Sequence, residues 1–301
     1  MMQLYKKYVG CIPLSDENIQ EAARLWCTNQ CCAEILYGHI SDWDTSMVTN
    51  MSYIFNCAMS FNEDIGAWDV SGVTDMSAMF WGAKTFNQDI GAWDVSGVTD
   101  MSEMFLGAKT FNQDIGMWCV SHVIDMSYMF NGARAFNQDI GAWDVSQMIN
   151  MSGMFADTDA FNQDIGAWDV SRVTNMSGMF ADTDAFNEKI GGWDVSSVVD
   201  MSRMFAGAPA FNQDIGTWIV SNVMDMYAMF NGATTFNQNL GIWDVSRVAN
   251  ISRMFGHTKS FNQDISAWDI SKVFCVMRRN MFDGSLQVTM SGRTRRTRRT
   301  S

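Results

Sequence analysis

The chain has 301 residues, 47% hydrophobic and 18% charged, a balance that excludes a disordered polar tract. Its net charge of −13 is unevenly placed: residues 278–301 hold seven arginines against the single acid Asp283, which leaves thirteen basic and thirty-two acidic residues, a net −19, in 1–277. No apolar run approaches the ~18–20 residues that span a bilayer.

Residues 1–39 read as an N-terminal helical cap. The first eleven residues lack a continuous signal-peptide core, so secretion by a standard signal is not expected. Ser15 is placed to cap a helix over about 16–36, with Asp16 and Glu17 in its first turn. Ile19, Ala22, Ala23 and Trp26 fall at helical spacing and give it one apolar face. Such a helix would cover the first edge of a repeat stack.

From Ile40 to about residue 275 the chain repeats one 25-residue unit. Tryptophan returns at Trp43, Trp68, Trp93, Trp118, Trp143, Trp168, Trp193, Trp218, Trp243 and Trp268 without a slip. A fixed period in this range means stacked units that share a core. In the copy beginning at Ile90, Trp93 and Val95 alternate with Asp94, the period-two signature of a short strand. Val98, Met101, Met104, Phe105 and Ala108 follow at three- and four-residue steps, the spacing of a helix. Phe111 and Ile115 bring the chain back to the next strand. The expected fold is therefore α/β: a right-handed solenoid of about ten coils, each a short parallel strand plus a helix. At ~4.8 Å per coil the stack would be roughly 45–50 Å long.

Polar positions divide by regularity. Asn87, Asn112 and Asn137 belong to a column that never varies, which predicts an internal ladder satisfying backbone groups. Ser96 and Ser146 belong to an equally regular column placed to cap the expected helices. The aspartate after each tryptophan points outward by strand alternation. Asp69, Asp94, Asp144, Asp169, Asp194 and Asp244 are the candidate binding residues of this face, and Cys119 and Ile219 interrupt their column. A second acidic column runs through Asp64, Asp89, Asp114, Asp139, Asp164, Asp214 and Asp264. Stacked carboxylates repel, so cations, screening or local hydrogen bonds must offset them. Calcium is the candidate counter-ion, because it prefers several oxygen ligands.

Phosphate-binding glycine loops, paired histidine ligands and nucleophile elbows are absent, so no enzyme is expected. Seven cysteines (Cys11, Cys27, Cys31, Cys32, Cys57, Cys119 and Cys275) have no regular spacing and read as unpaired thiols. Asn50, Asn150, Asn175 and Asn250 each begin an Asn-x-Ser sequon, relevant only to a secreted protein. After Trp268 the pattern decays. Met281-Phe282 falls two residues late, so 276–290 reads as a degenerate C-terminal cap. Residues 291–301, Ser-Gly-Arg-Thr-Arg-Arg-Thr-Arg-Arg-Thr-Ser, have no apolar side chain and read as a disordered basic tail whose contacts would be non-specific.

The repeat Phe-Asn-Gln-Asp-Ile-x-x-Trp-Asp-Val-Ser-x-Val-Thr-x-Met-Ser-x-Met-Phe resembles that of BspA-type leucine-rich-repeat surface proteins. It is also similar to a domain of unknown function in mycoplasma surface lipoproteins, found in algae and other protists as well. The resemblance covers about 40–275 and carries no catalytic residues. It implies a leucine-rich-repeat-like solenoid and adhesion or recognition at a cell surface. The function expected is a non-catalytic scaffold binding a protein or glycan, favouring a basic partner and no specific nucleic acid. The alternative is a structural or calcium-binding rod.

Overall fold

The backbone of each repeat folds by turns, and residues 90–111 show how. The N–H of Trp93 donates to the carbonyl of Ile90 and that of Val98 to Val95. Met104, Leu106, Ala108 and Phe111 likewise donate to Met101, Glu103, Phe105 and Ala108, three residues back. Each bond closes a β-turn. The intervening amides leave the coil: Met101, Glu103, Phe105 and Gly107 donate to Asp125, Ser127, Met129 and Asn131 of the next coil, at 2.7–3.0 Å. Ser102 N–H is taken by the Asp100 carboxylate at 2.8 Å. Every N–H from 101 to 108 is thereby satisfied, half within the coil and half between coils.

A computed structural model describes residues 11–285. It overturns the α/β solenoid expected from periodicity. Among the described residues there is no sheet, only isolated parallel bridges that climb from Asn50 to Asn250 in 25-residue steps. The repeats contain no α-helix. Successive β-turns return the chain to the same wall every third residue, so they mimic helical spacing of the apolar positions. Glu103 and Gly107 have φ of +58° and +70°, which no right-handed helix admits. The predicted strand fails for a different reason. Trp93-Asp94-Val95 is a three-residue link between two turns, too short to build a ladder, and the bridges fall at Asp100 and its equivalents instead.

The core runs up the axis of the stack. Ile90, Trp93, Val95, Val98, Met101, Met104, Phe105, Ala108 and Phe111 are all buried, as are their counterparts above and below. Phe105 and Phe111 stack at 3.9 Å within the coil, and Phe105 and Phe130 at 5.7 Å between coils. The tryptophans stack nearly parallel, at 6.5 Å for Trp168 on Trp193. Each buried indole N–H needs an acceptor. Trp93, Trp118 and Trp143 find one in the carbonyls of Ile65, Ile90 and Ile115, at 3.1–3.2 Å.

Both ends are finished differently from the middle. At the start, α1 (Ile19–Thr28) and α2 (Gln30–Tyr37) replace the single predicted helix. Asn29, at φ −154°, breaks it and caps α2 by accepting from Cys32 N–H. Ser15 does not cap α1; its carbonyl closes the preceding turn on Asn18 and Ile19. Asp16 serves the stack instead. Its carboxylate takes the N–H groups of Thr49 (2.7 Å) and Asn50 (3.0 Å); in later coils the first of these is met by the preceding coil, as Thr74 N–H is by Thr49. Ile19, Ala22, Ala23 and Trp26 are buried, with Trp26 edge-on to Trp43 at 6.0 Å. At the other end a short helix, α3 (Cys275–Arg279), absorbs two extra residues. Phe255 N–H therefore reaches Met281 rather than residue 279, and Phe282 stacks on Phe255 at 5.6 Å. The predicted basic tail, 291–301, lies outside the described residues.

Candidate interaction faces

The predicted binding column is exposed along its length: Asp69, Asp94, Asp144, Asp169, Asp194 and Asp244 all face solvent. Each of these six Oδ1 atoms accepts the N–H of the serine two residues on, at 3.0–3.1 Å. At Asp69 the Ser71 hydroxyl adds a bond of 2.6 Å. The serine hydroxyl first, and its N–H second, hold the carboxyls of Asp94, Asp144, Asp169 and Asp194 below the usual range. Ser96 and Ser146 thus act as donors to aspartate, since the helices they were expected to cap do not form.

This face is acidic but not uniform. Met117 beside Cys119, and Ile219 and Ile242 higher up, break it with exposed apolar side chains; Met117 is 90% exposed. The neighbouring column carries His122, Arg172, Arg247 and Lys272. Arg172 donates to Gln147, and Arg247 to Asn222 at 2.7 Å. The asparagines form a ladder that is half-buried in the middle of the stack and exposed at Asn62 and Asn262. Asn87 Oδ1 accepts Asn112 N–H, Asn112 Oδ1 accepts Asn137 N–H, and Asn137 Oδ1 accepts Asn162 N–H, each at 2.9 Å. The second acidic column is engaged by its own backbone: Asp89 and Asp139 accept the N–H of Gly91 and Gly141.

A third polar column went unread in the sequence. Asn50, Asp75, Asp100, Asp125, Asn150, Asn175, Asp200, Asp225 and Asn250 are the bridge residues themselves. The amides of Asn50 and Asn150 donate to Asp75 (3.3 Å) and Asp125 (3.1 Å), closing the run of three acids at both ends. Asn250 does the same for Asp225, whose carboxyl is pushed up by burial. Restriction to Asp or Asn in nine successive copies was the available signal.

Concavities interrupt the regular surface. One, about 690 Å³, lies between α1 and the first coil, lined by Arg24, Cys27, Tyr53, Asn56, Cys57 and Glu63 among others, and one of about 500 Å³ lies at Cys11, Tyr37, His39 and Asp44. Packing around the Cys27 sulfur, and the charge of Glu63, push that thiol up, away from nucleophilic thiolate. A further one, about 410 Å³, crosses the turn edge at Tyr128, Gly153, Asp157, Gly178, Asp182 and Arg203. All seven cysteines are free. Among the described residues no group of three His, Cys, Asp or Glu side chains is arranged to hold a metal ion, and no helix is long and apolar enough to cross a membrane.

No curated protein and no solved structure matches the chain. A family model does: "Mycoplasma protein of unknown function, DUF285" matches three overlapping stretches, residues 27–142, 111–196 and 184–292. These stretches span the stack from α1 to beyond α3, and the chain belongs to that family of repeat proteins.

Proposed function

We propose that this protein is a non-catalytic recognition scaffold that binds a protein or glycan through the column Asp69, Asp94, Asp144, Asp169, Asp194 and Asp244. One observation carries the reading: each carboxylate has one oxygen tied to a serine and the other turned to solvent. Pre-organised groups lose less freedom on binding than mobile ones. The apolar breaks at Met117 and Ile219 supply positional identity that a uniform column would lack. An acidic face favours a basic partner and an affinity that falls as salt rises. The resemblance of the repeat to BspA-type surface proteins supports such binding at a cell surface, in adhesion.

The test is binding to a cationic peptide array and a glycan array, with the triple variant D94N/D144N/D169N beside the parent. Asparagine keeps the acceptor for serine and removes the charge. Loss of the bound probes in the variant supports the reading, and unchanged binding to every probe overturns it. The second reading, a calcium-dependent rod, draws on the open oxygens stacked along this column. It requires a melting temperature that falls on chelation and recovers with added calcium.

A further inference from the structure

The turn edge of the stack carries two positions with left-handed backbone in every coil. The first is filled by Tyr53, Ala78, Glu103, Tyr128, Gly153, Gly178, Arg203, Ala228 and Arg253. The second is Cys57, Gly82, Gly107, Gly132, Asp157, Asp182, Gly207, Gly232 and His257. In two adjacent coils, and in no others, the chemistry is exchanged: glycine takes the first position and aspartate the second. The backbone does not require this, since both positions keep positive φ either way.

The exchange opens the 410 Å³ groove. The Tyr128 ring lies across Gly153, where an added Cβ would sit 2.4 Å from its Cδ1. Gly178 is bare, with nothing nearer to an added Cβ than Ala181 at 3.8 Å, and Arg203 bounds the far side. Asp157 is already held by Arg134 at 3.0 Å. Asp182 leans the other way, over Gly207, and no cation among the described residues pairs with it or with Asp184.

The chain's last described residues lie on this same edge. Asp182 N–H donates to Ala206, Gly207 to Asn231, Gly232 to Gly256 and His257 to Asp283, in one line. Gly207 and Gly232 carry no side chain of their own, which leaves a trough between His257 and Asp182 into which the Asp182 carboxylate leans at Gly207. Four coils at ~4.8 Å put Asp182 about 19 Å from Asp283. Arg293 is eight residues beyond Ser285, a span of up to ~26 Å when extended. Five arginines and no acid lie between 293 and 299, against a body of net charge −19.

We propose that the groove is the docking site of the chain's own segment Arg293–Arg299, reached along the glycine trough, with a guanidinium set between the Tyr128 ring and the Asp182 carboxylate. Arginine suits this site because its planar cation stacks on an aromatic face while pairing with carboxylate. The occupied groove is distinct from the Asp69–Asp244 column, so this contact leaves that column open.

The test uses the full chain with benzoylphenylalanine in place of Thr297, irradiated at low micromolar concentration and mapped by mass spectrometry. Intramolecular adducts are expected at Tyr128, Gly178 and their neighbours, and should vanish at about 0.5 M salt. Two variants should each cut their yield about fivefold or more. D182N removes the charge with a residue that tolerates left-handed backbone, and G178R fills the gap with the side chain that Arg203 already carries. Circular dichroism confirms that each is folded. Adducts on the aspartate column, adducts between copies that grow with concentration, no adduct, or yields indifferent to both folded variants would each overturn the proposal.

Discussion

Replacing Gly141 by alanine tests whether the coils touch as closely as the turns imply. A Cβ at Gly141 would lie 2.5 Å from the backbone carbonyl oxygen of Asp164 in the next coil. Ordinary carbon–oxygen contact needs about 3.2–3.4 Å, so the coils must part locally by roughly 0.8 Å, against a ladder that holds them in register. Overpacking of this kind costs about 1–3 kcal/mol. Alanine returns about 0.4–1 kcal/mol by restricting the unfolded chain, since φ here is not positive. The net expectation is a loss of about 1–2 kcal/mol, read as a lower urea midpoint by far-ultraviolet dichroism. Ser266 supplies the internal control. It holds the equivalent position in the last full coil, already carries a Cβ and is exposed, so Ser266→Ala should change stability by less than about 0.5 kcal/mol. Equal midpoints for Gly141→Ala and the parent would refute the close approach.

Asn137→Ala removes the acceptor for Asn162 N–H and Gln163 Nε2 and should cost about 1–3 kcal/mol in the same assay; Asn137→Asp should restore much of it, because a carboxylate oxygen can accept both. Asp225→Asn should stabilise the protein at pH 7 by less than about 1 kcal/mol, since burial raises this carboxyl and asparagine already fills the position at 50, 150, 175 and 250. A raised carboxyl penalises the ionised form, so the gain must shrink to nothing in acid, once both folded and unfolded forms are protonated; a gain independent of pH would contradict the burial argument. Asp94 has the opposite sign: its contribution is present above the ordinary aspartate range and is lost only as pH falls through the lowered folded value. Carboxyl chemical shifts followed against pH should show Asp94 titrating below free aspartate in the parent and moving up in Ser96→Ala.

The register of the stack was legible in the sequence and its secondary structure was not. Buried tryptophan, phenylalanine and methionine announce which side chains face inward, and the buried column Trp93, Val98, Met101, Phe105 and Phe111 agrees with that reading. They do not announce the backbone path between them. A step of three is shared by an α-helix and by a chain of β-turns, and hydrophobicity alone cannot separate the two. The discriminating signal is conformational rather than apolar: glycine at 82, 107, 132, 207 and 232 marks a left-handed position that would sit inside the supposed helix. A step of two fails in the same way at Trp93-Asp94-Val95, where alternation is real but the segment is too short to pair. Even the serine column was legible as a capping partner while the direction of its bond was not, because Asp94 offers the stronger acceptor and serine supplies the N–H.

Regularity in such a stack explains itself, which moves the search for function to the departures. A residue repeated in every coil has the same neighbours above and below, as the asparagine ladder and the indole N–H bonds do, and its constancy follows from stacking. A residue that breaks the column must be tolerated by those neighbours and differs from them in chemistry, so it can mark one coil among ten. Met117 and Cys119 do this on the aspartate face, and Ile219 and Ile242 do it again about four coils away. The exchanged pairs Gly153–Asp157 and Gly178–Asp182 do it on the turn edge, with the added feature that two neighbouring coils depart together and in compensating directions. One substitution alone would have left either a crowded edge or an uncharged gap. Both together make a groove with carboxylates on one flank and the Tyr128 ring on another, a combination found at no other level of the described stack.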